Sequence, residues 1–464
     1  MKQSFTGHDV VVVGGGIAGS LAACAAARLG ARVLLVERFG HLGGILVSGG
    51  VGPMMTFHCG KEQIIRGLPG ELIDRLVGKG LSPGHIEDST GYTYSVTPFD
   101  AEGMKQELEI MALDAGVELL YGALLCSVDA TSGAIDSLTA ATKGGLIAVQ
   151  GSVYVDATGD ADIARHARSS SEPLELQPAT MNFKMSGVDT AAIRKYVESN
   201  PGDFTDLKGR TELLGRAKRL SVCGFLGAVA DGRASGDFEV RRDDLLFFET
   251  NTPGEVIVNT SRIAVRDPLD PEDLTRLAIE GRRQVLAIAA FLRERIPGFA
   301  DARLVSSGPE IGIRNSRQID GVYCLTAEDL LSSREMPDAI AHSAYPIDVH
   351  NSSDGGTLSR FLPEGRYYDI PYRSLVAARA RNLLGAGRCI SATFQAQAAV
   401  RVSPTAGATG QAAGTAAALC AARKKAVTEI DIAELRAMLR SQGAWLPERK
   451  TARGPAADLA DPTA

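Results

Sequence analysis

Between Asp9 and Gly44 the chain reads DVVVVGGGIAGSLAACAAARLGARVLLVERFGHLGG, and few folds accept residues in that order. Val10 to Val13 is a β-branched run, apolar on both faces, which suits a central strand of a buried parallel sheet. Gly14, Gly16 and Gly19 follow at G-x-G-x-x-G spacing. The first glycine permits a tight turn, the second lets the backbone approach a pyrophosphate, and the third lets a helix pack on the strand. Ile17 to Leu29 is Ala-rich and predicts that helix, with Ile17 and Ala18 in the first turn, where free N–H groups and the positive dipole end face phosphates. Arg32 to Val36 predicts a second strand. Glu37, 23 residues beyond Gly14, stands where a carboxylate accepts hydrogen bonds from ribose hydroxyls, which favours an unphosphorylated ribose as in FAD or NAD. A lipoprotein signal peptide is the competing reading, since Lys2 precedes an apolar run and Leu21-Ala22-Ala23-Cys24 imitates a lipidation site. Asp9 and the glycines argue against it, and cleavage before Cys24 would discard the first strand.

Glu37 and Arg38 open the loop ERFGHLGG, which ends at Gly43 and Gly44. With Asp156-Ala157-Thr158-Gly159-Asp160, the stretch Gly312 to Leu330 and the stretch Asn382 to Leu419, it resembles the FAD-dependent oxidoreductases of the glutathione-reductase-like superfamily, over about Asp9 to Leu419. The resemblance implies FAD as cofactor, with residues 37–44 passing between pyrophosphate and flavin. It implies that Thr158, Gly159 and Asp160 turn under the cofactor and that Gly387 and Arg388 meet the pyrophosphate. It also implies a helix beginning near Ala408 to Gln411, with Gly410 and Gln411 at the end whose dipole faces the flavin.

The net charge of −6 gives no support to nucleic-acid binding, because phosphate contacts need a basic face. Outside residues 10–36 no apolar run is long enough to span a bilayer, and that run is interrupted by glycines and Arg28, so a soluble, cytoplasmic protein is expected. Seven cysteines without a C-x-x-C pair suit a reducing compartment and offer no redox dithiol and no thiolate metal site.

The expected fold class is α/β: a Rossmann-like FAD-binding domain of glutathione-reductase type, from residues 1–50, 96–168 and 374–425, with an inserted mixed α+β substrate domain from 51–95 and 169–373. A C-terminal helix is expected within 426–449, and 450–464 reads as a disordered tail. Asp267-Pro268-Leu269-Asp270-Pro271 signals the start of a long helix near Glu272 to Arg295. No second G-x-G-x-x-G follows a strand, so no built-in NAD(P)H domain is expected.

Five residues are candidates for chemistry. Arg314 and Arg317 follow a strand-like stretch and suit bidentate recognition of a carboxylate; the alternative is a structural ion-pair network, for instance with Asp320 or Asp329. His342 and His350 suit proton transfer near neutral pH, and their spacing fits no compact metal site. His58, beside Cys59 in a Gly- and Met-rich loop, is a candidate for the flavin face or an ordinary loop histidine. The expected function is hydride transfer between a small polar or anionic organic substrate and flavin N5, in either direction. An electron donor or acceptor that the sequence does not name completes the cycle, and an oligomer is compatible with it. A tRNA-modifying flavoprotein, a partner-dependent redox subunit and a non-redox FAD-dependent hydratase or isomerase are the alternatives.

Overall fold

A computed structural model describes residues 4–173, 175–204, 212–351 and 356–447. The tail expected at 450–464 lies outside the described residues. In chain order the main elements are β1 (Ser4–Val13), α1 (Ile17–Ala27), β2 (Val33–Val36), α2 (Leu68–Gly78), α3 (Ala101–Asp114), β3 (Glu118–Leu120), β4 (Leu124–Thr131), β5 (Ala134–Thr142) and β6 (Gly145–Asp156). Then come β7 (Phe183–Ser186), β8 (Ser221–Gly224), β9 (Leu245–Glu249), β10 (Val256–Val258), α4 (Pro271–Arg295) and β11 (Arg303–Ser307). The chain continues through β12 (Ala339–Ser343), β13 (Ile347–His350), β14 (Thr357–Arg360), β15 (Tyr368–Pro371), β16 (Leu383–Gly385), α5 (Phe394–Val400), α6 (Ser403–Arg423) and α7 (Ile432–Ser441).

The fold is mixed α/β around a seven-stranded sheet of order β3-β2-β1-β6-β5-β4, with β16 pairing β6 beside β5. β1 is parallel to β2 and to β6, and β16 is parallel to β6; the β4–β5–β6 meander is antiparallel. Val10 and Val12 face a core built with α1, α3 and α6, while Val11 and Val13 face the opposite core with Ile163, Ile319 and Leu383. Both faces of β1 are thus covered, which is why its valines run without polar alternation. Cys24 is fully buried in α1, where burial pushes its thiol up to about 12.

A second, five-stranded antiparallel sheet of order β8-β9-β10-β7-β11 carries its own core, running from Met181 to Ala302 and closed by α4. The expected boundary at 169–373 does not match this core. Ile340, Ile347, Tyr368 and Ile370 on β12, β13 and β15 pack into the first core with α6 residues such as Ala412 and Ala416. Their apolar faces find cover on the helix of the nucleotide-binding half, so only the middle of the expected insert forms a separate core. Asp270 caps α4, accepting from the N–H groups of Glu272 and Asp273 at 3.2 and 3.3 Å, as its Asp-Pro signal predicts.

Candidate functional site

The turn after β1 is built as its glycines require. Gly14 has φ +100°, and a Cβ there would overlap the carbonyl of Ala157; a Cβ on Gly19 would overlap the carbonyl of Gly14. Gly16 differs, because the nearest atom to a Cβ there would be Gly44 Cα at 3.9 Å, so its outer face is an open cradle that a side chain would fill. Glu37 ends β2 as a buried carboxylate, accepting from Gly15 N at 2.5 Å and Phe39 N at 2.8 Å. Each of its oxygens has a second lone pair for a ribose hydroxyl. Gly43 N donates to Gly15 O at 2.8 Å, so the loop carrying Gly43 and Gly44 lies directly beside the glycine turn.

On the other side of the turn, Thr158 closes on Asp156, and Gly159 at φ +83° brings its backbone onto the Arg388 guanidinium. Arg388 donates to Asp160 Oδ1 at 2.7 Å and to Ser316 Oγ at 2.9 Å. Burial pushes the Asp160 carboxyl up, but Arg388 and Ser316 more than offset this and hold it below its ordinary value. Arg388 is therefore bound up in fixing the Gly159–Asp160 turn against Ser316. Gly387, at φ +77°, donates its N–H to Thr409 Oγ1 at 3.0 Å. Arg38 bonds Glu310 at 2.6 Å and lies over the Phe39 ring.

Two expectations for α6 are corrected. The helix begins at Ser403, not near Ala408, so Gly410 and Gln411 lie about two turns inside it. A Cβ on Gly410 would overlap the Ala18 carbonyl, and one on Gly414 that of Ala22; these glycines serve close packing of α6 on α1. Gln411 accepts from Leu68 N at 3.0 Å and faces α2 and α7. The residues at the start of the helix are Ser403, Pro404 and Thr405.

Arg314 and Arg317 part company. Arg317 donates to Asp160 O at 3.1 Å and to Asp162 Oδ1 at 2.7 Å, a structural ion pair with a partner other than Asp320 or Asp329. Arg314 turns the opposite way and donates to the carbonyl of Pro178, with no ion-pair partner among the described residues. Burial, and after it repulsion from Arg401, push its guanidinium down to about 9, which leaves it cationic at neutral pH.

Around Arg314 the fold gathers groups that no local pattern in the chain connects. Asp348 on β13 meets His350 Nε2 at 3.3 Å, the Tyr345 hydroxyl at 3.2 Å and Arg401 at 3.5 Å. Burial opposes its ionisation, yet His350, Arg401 and Arg314 hold its carboxyl well below the usual range. Arg242, from the second core's side, bonds Asp244 at 2.6 Å. Arg401 stands four residues after Gln397 at the end of α5, two residues before α6 begins. That spacing was the one readable signal, since it places both on one helical face. Arg242 and Arg262 carry no local signal, because strand pairing far along the chain brings them here.

The histidines separate as well. His350 N donates to Gln177 Oε1 at 3.1 Å, and its Nδ1 meets the Thr357 hydroxyl at 3.2 Å. Burial and the charge of Arg314 push it down to about 3, so it is neutral. His342 lies outside this cluster: its Nδ1 faces Asp369 Oδ1 at 2.9 Å, and Tyr367 and Trp445 approach its ring edge-on. His58 Nδ1 meets Ser95 Oγ at 3.0 Å, next to His85, and burial lowers its pKa. No His/Cys/Asp/Glu group among the described residues could hold a metal ion, and no described helix is long and apolar enough to cross a membrane.

The open face at Gly16, the carboxylate of Glu37 and the absence of a side chain between the 14–19 turn and Gly44 fit a dinucleotide pyrophosphate and its ribose. A family model described as FAD dependent oxidoreductase matches residues 9–439. The chain is 38% identical over 77 residues to the tRNA uridine 5-carboxymethylaminomethyl modification enzyme of Salinibacter ruber, a match spanning 16% of this chain and only 12% of that relative. Similar solved structures include a geranylgeranyl bacteriochlorophyll reductase-like protein from Thermoplasma acidophilum (TM-score 0.44, 12% identity, 96% of this chain and 83% of that chain). They also include p-nitrophenol 4-monooxygenase from Pseudomonas putida (TM-score 0.47, 11% identity, 97% and 91%) and a flavin-dependent brominase (TM-score 0.46, 14% identity, 94% and 83%). With the family match running through the glycine turn, the Asp156–Asp160 turn and α6, the chain belongs to the FAD dependent oxidoreductase family and is an enzyme that uses FAD.

Proposed function

We propose that this enzyme moves a hydride between a small anionic organic substrate and FAD, on a flavin domain of glutathione-reductase type with the second core inserted in it. One observation carries the substrate class. Arg314 is a half-buried cation whose guanidinium has only a backbone carbonyl as hydrogen-bond partner among the described residues, while its neighbours Arg242 and Arg401 already pair with Asp244 and Asp348. A half-buried guanidinium with no carboxylate in direct contact is costly to cover, and an arriving carboxylate offsets that cost with two parallel hydrogen bonds. FAD, when bound, supplies the hydride chemistry.

The rest falls to the chain. The segment from Glu310 to Arg317 ties the two ends together: Glu310 pairs with Arg38 beyond β2, Arg314 enters the cluster, and Ser316 and Arg317 hold the turn at Asp160 and Asp162. His350 is the candidate proton acceptor for the proton that leaves with the hydride. It is neutral, oriented by Asp348, and joined through Nδ1 to a threonine hydroxyl that can pass a proton on. An anion beside Arg314 screens the repulsion that adds to burial in depressing His350, and so raises its basicity when substrate is present. A net charge of −6 and the short reach of the likeness to the tRNA-modifying relative favour this reading over an RNA substrate.

The test is Arg314→Lys in FAD-loaded protein. Loss of one partner of a desolvated charge pair costs about 2–5 kcal/mol. We expect full FAD content, an unchanged melting temperature and a loss of kcat/KM of about 30-fold or more. Unchanged turnover in that variant overturns the assignment.

A further inference from the structure

The cluster holds more than cations, and its neutral groups narrow the substrate further. Gln397 donates its Nε2 to Arg314 O at 3.1 Å, which fixes the amide's orientation and leaves Oε1 as a buried acceptor with no partner among the described residues. Gln177 is fixed the opposite way: its Oε1 accepts from His350 N, and its Nε2 is a buried donor without a partner. Arg401 Nε and the hydroxyl of Thr180, a residue whose backbone pairs with that of Gly312 two residues before Arg314, are likewise buried and unpartnered. Gln177, Thr180 and Gln397 are 1%, 5% and 2% exposed.

Buried polar groups are almost always satisfied, so four orphaned ones on the stretches that pack about Arg314 describe the complement of a ligand. Arg314 and Arg401 Nε call for an acceptor carrying negative charge, a carboxylate. Gln397 Oε1 calls for a hydrogen-bond donor on the same molecule. That donor can be a hydroxyl or an ammonium, and the field decides between them. Arg314 and Arg401 both face this cluster, and their positive charges, which add to burial in disfavouring a protonated His350, repel an ammonium in the same way. A hydroxyl carries no such cost.

We infer that the substrate is a hydroxycarboxylate, held through its carboxylate by Arg314 and Arg401 and through its hydroxyl by Gln397, and that amino acids are rejected. The inference rests on the proposed anion site at Arg314. In the oxidation it implies, the carbinol C–H bond would break with its electron pair leaving as hydride, which bound FAD would accept, the hydroxyl proton would pass through the Thr357 hydroxyl to His350 Nδ1, and the product would be the oxo acid.

The experiment uses FAD-loaded protein under anaerobic conditions and follows the visible spectrum of the flavin. Aliphatic and aromatic hydroxycarboxylates, from lactate and 3-hydroxybutyrate to mandelate, are compared with their amino and unsubstituted counterparts. We expect bleaching by at least one hydroxy acid, with the matching amino acid and the unsubstituted acid bound at least tenfold more weakly. Gln397→Leu, which keeps FAD, should bring the hydroxy and unsubstituted acids to within about twofold of each other without changing affinity for the unsubstituted acid; a purely structural role for Gln397 would weaken both alike. Carboxylates that bind through Arg314 with no preference for the hydroxyl, or amino acids that bind as well, overturn the inference and leave the anion site standing. If no carboxylate perturbs the flavin and Arg314→Lys behaves as wild type, both fall together.

Discussion

The glycine turn and the arginine cluster are built by opposite means. In the turn, function resides in backbone: Gly14, Gly16, Gly19 and Glu37 lie within one βαβ unit, where Gly14 and Gly19 are dictated by what a Cβ would strike, Gly16 leaves an open cradle, and Glu37 is fixed by hydrogen bonds from neighbouring N–H groups. In the cluster, function resides in side chains contributed by six separate stretches, around residues 177, 242, 262, 314, 348 and 401, and the fold alone brings them together. At Gly14 and Gly19 the backbone tolerates no added atom, while at Gly16 an added atom would fill the space left for a ligand. Side-chain sites tolerate many substitutions structurally and fail chemically.

The largest effect should come from making the turn behave like an ordinary helix start. Gly19→Val places its side chain into the carbonyl of Gly14, where only backbone could yield, so destabilisation should exceed about 3 kcal/mol and little folded protein should be recovered. Gly16→Ala separates folding from cofactor binding in the same turn. Its Cβ meets nothing closer than 3.9 Å, so the apoprotein should melt as wild type while FAD affinity drops about tenfold or more, read by equilibrium dialysis. If Gly16→Ala keeps wild-type affinity, Gly16 is not where the cofactor comes close.

Next in size is the split between two arginines three residues apart. Arg317→Lys keeps a charge near Asp162 but loses the fork that also reaches Asp160 O. It should lose about 1.5–3 kcal/mol of stability, on the scale of hydrogen bonds to charged groups, with kcat/KM of the FAD-loaded fraction changed less than threefold. Arg314→Lys should do the reverse. Equal losses of activity in both would mean that the comparison between framework and site is drawn in the wrong place.

The same contrast explains what the sequence revealed. The sheet around β1, α4 with its Asp270 cap, and the tight turn and helix packing of Gly14 and Gly19 were readable because they depend on neighbours in the chain. The start of α6 was misplaced because a Gly- and Ala-rich stretch has no apolar period to mark its first turn; only Ser403-Pro404 signalled it. Arg314 and Arg317 look alike in sequence, and their divergence depends on Asp162 and Pro178, both more than a hundred residues away. Cover by α6, invisible in local pattern, likewise moved Ile347 and Ile370 out of the expected insert's core.

A smaller effect concerns pH. His350 and His85 have their pKa values depressed, to about 3 and about 4, burial being the first cause in each. A histidine that refuses protons when folded but accepts them when unfolded contributes stability fully above its unfolded pKa near 6.5, and loses it as pH falls toward the folded value. Each should add a slope of up to about 1.4 kcal/mol per pH unit between pH 6.5 and 4. Asp156, raised to about 6 chiefly by burial, opposes them: its contribution is full below about 3.8 and fades as pH rises through 6. Melting curves from pH 7 to 4 should therefore fall, and His350→Gln should flatten the fall. A histidine variant with an unchanged acid limb would show that another group controls it.

The smallest effect tests whether the second core serves the cluster as a rigid support. Asp270 caps α4 at the solvent-facing end of that core, far in chemistry from any charge in the cluster, and its loss should cost about 1 kcal/mol. In a protein of this size the melting temperature should fall by about 2 °C or less. Asp273 should hold the helix start in place, since its carboxylate accepts from the N–H groups of Arg266 and Asp267 at 2.8 and 3.0 Å whether or not the cap is present. With the first turn so anchored, fraying in Asp270→Ala should not travel along α4 to Gln284, which bonds Arg262 N at 2.9 Å and so steadies the backbone at one of the cluster's arginines. Turnover should stay at the wild-type value. A drop in kcat/KM larger than the loss in stability would show that α4 transmits its first turn to Arg262, and that framework and site in this half of the molecule are one mechanical unit.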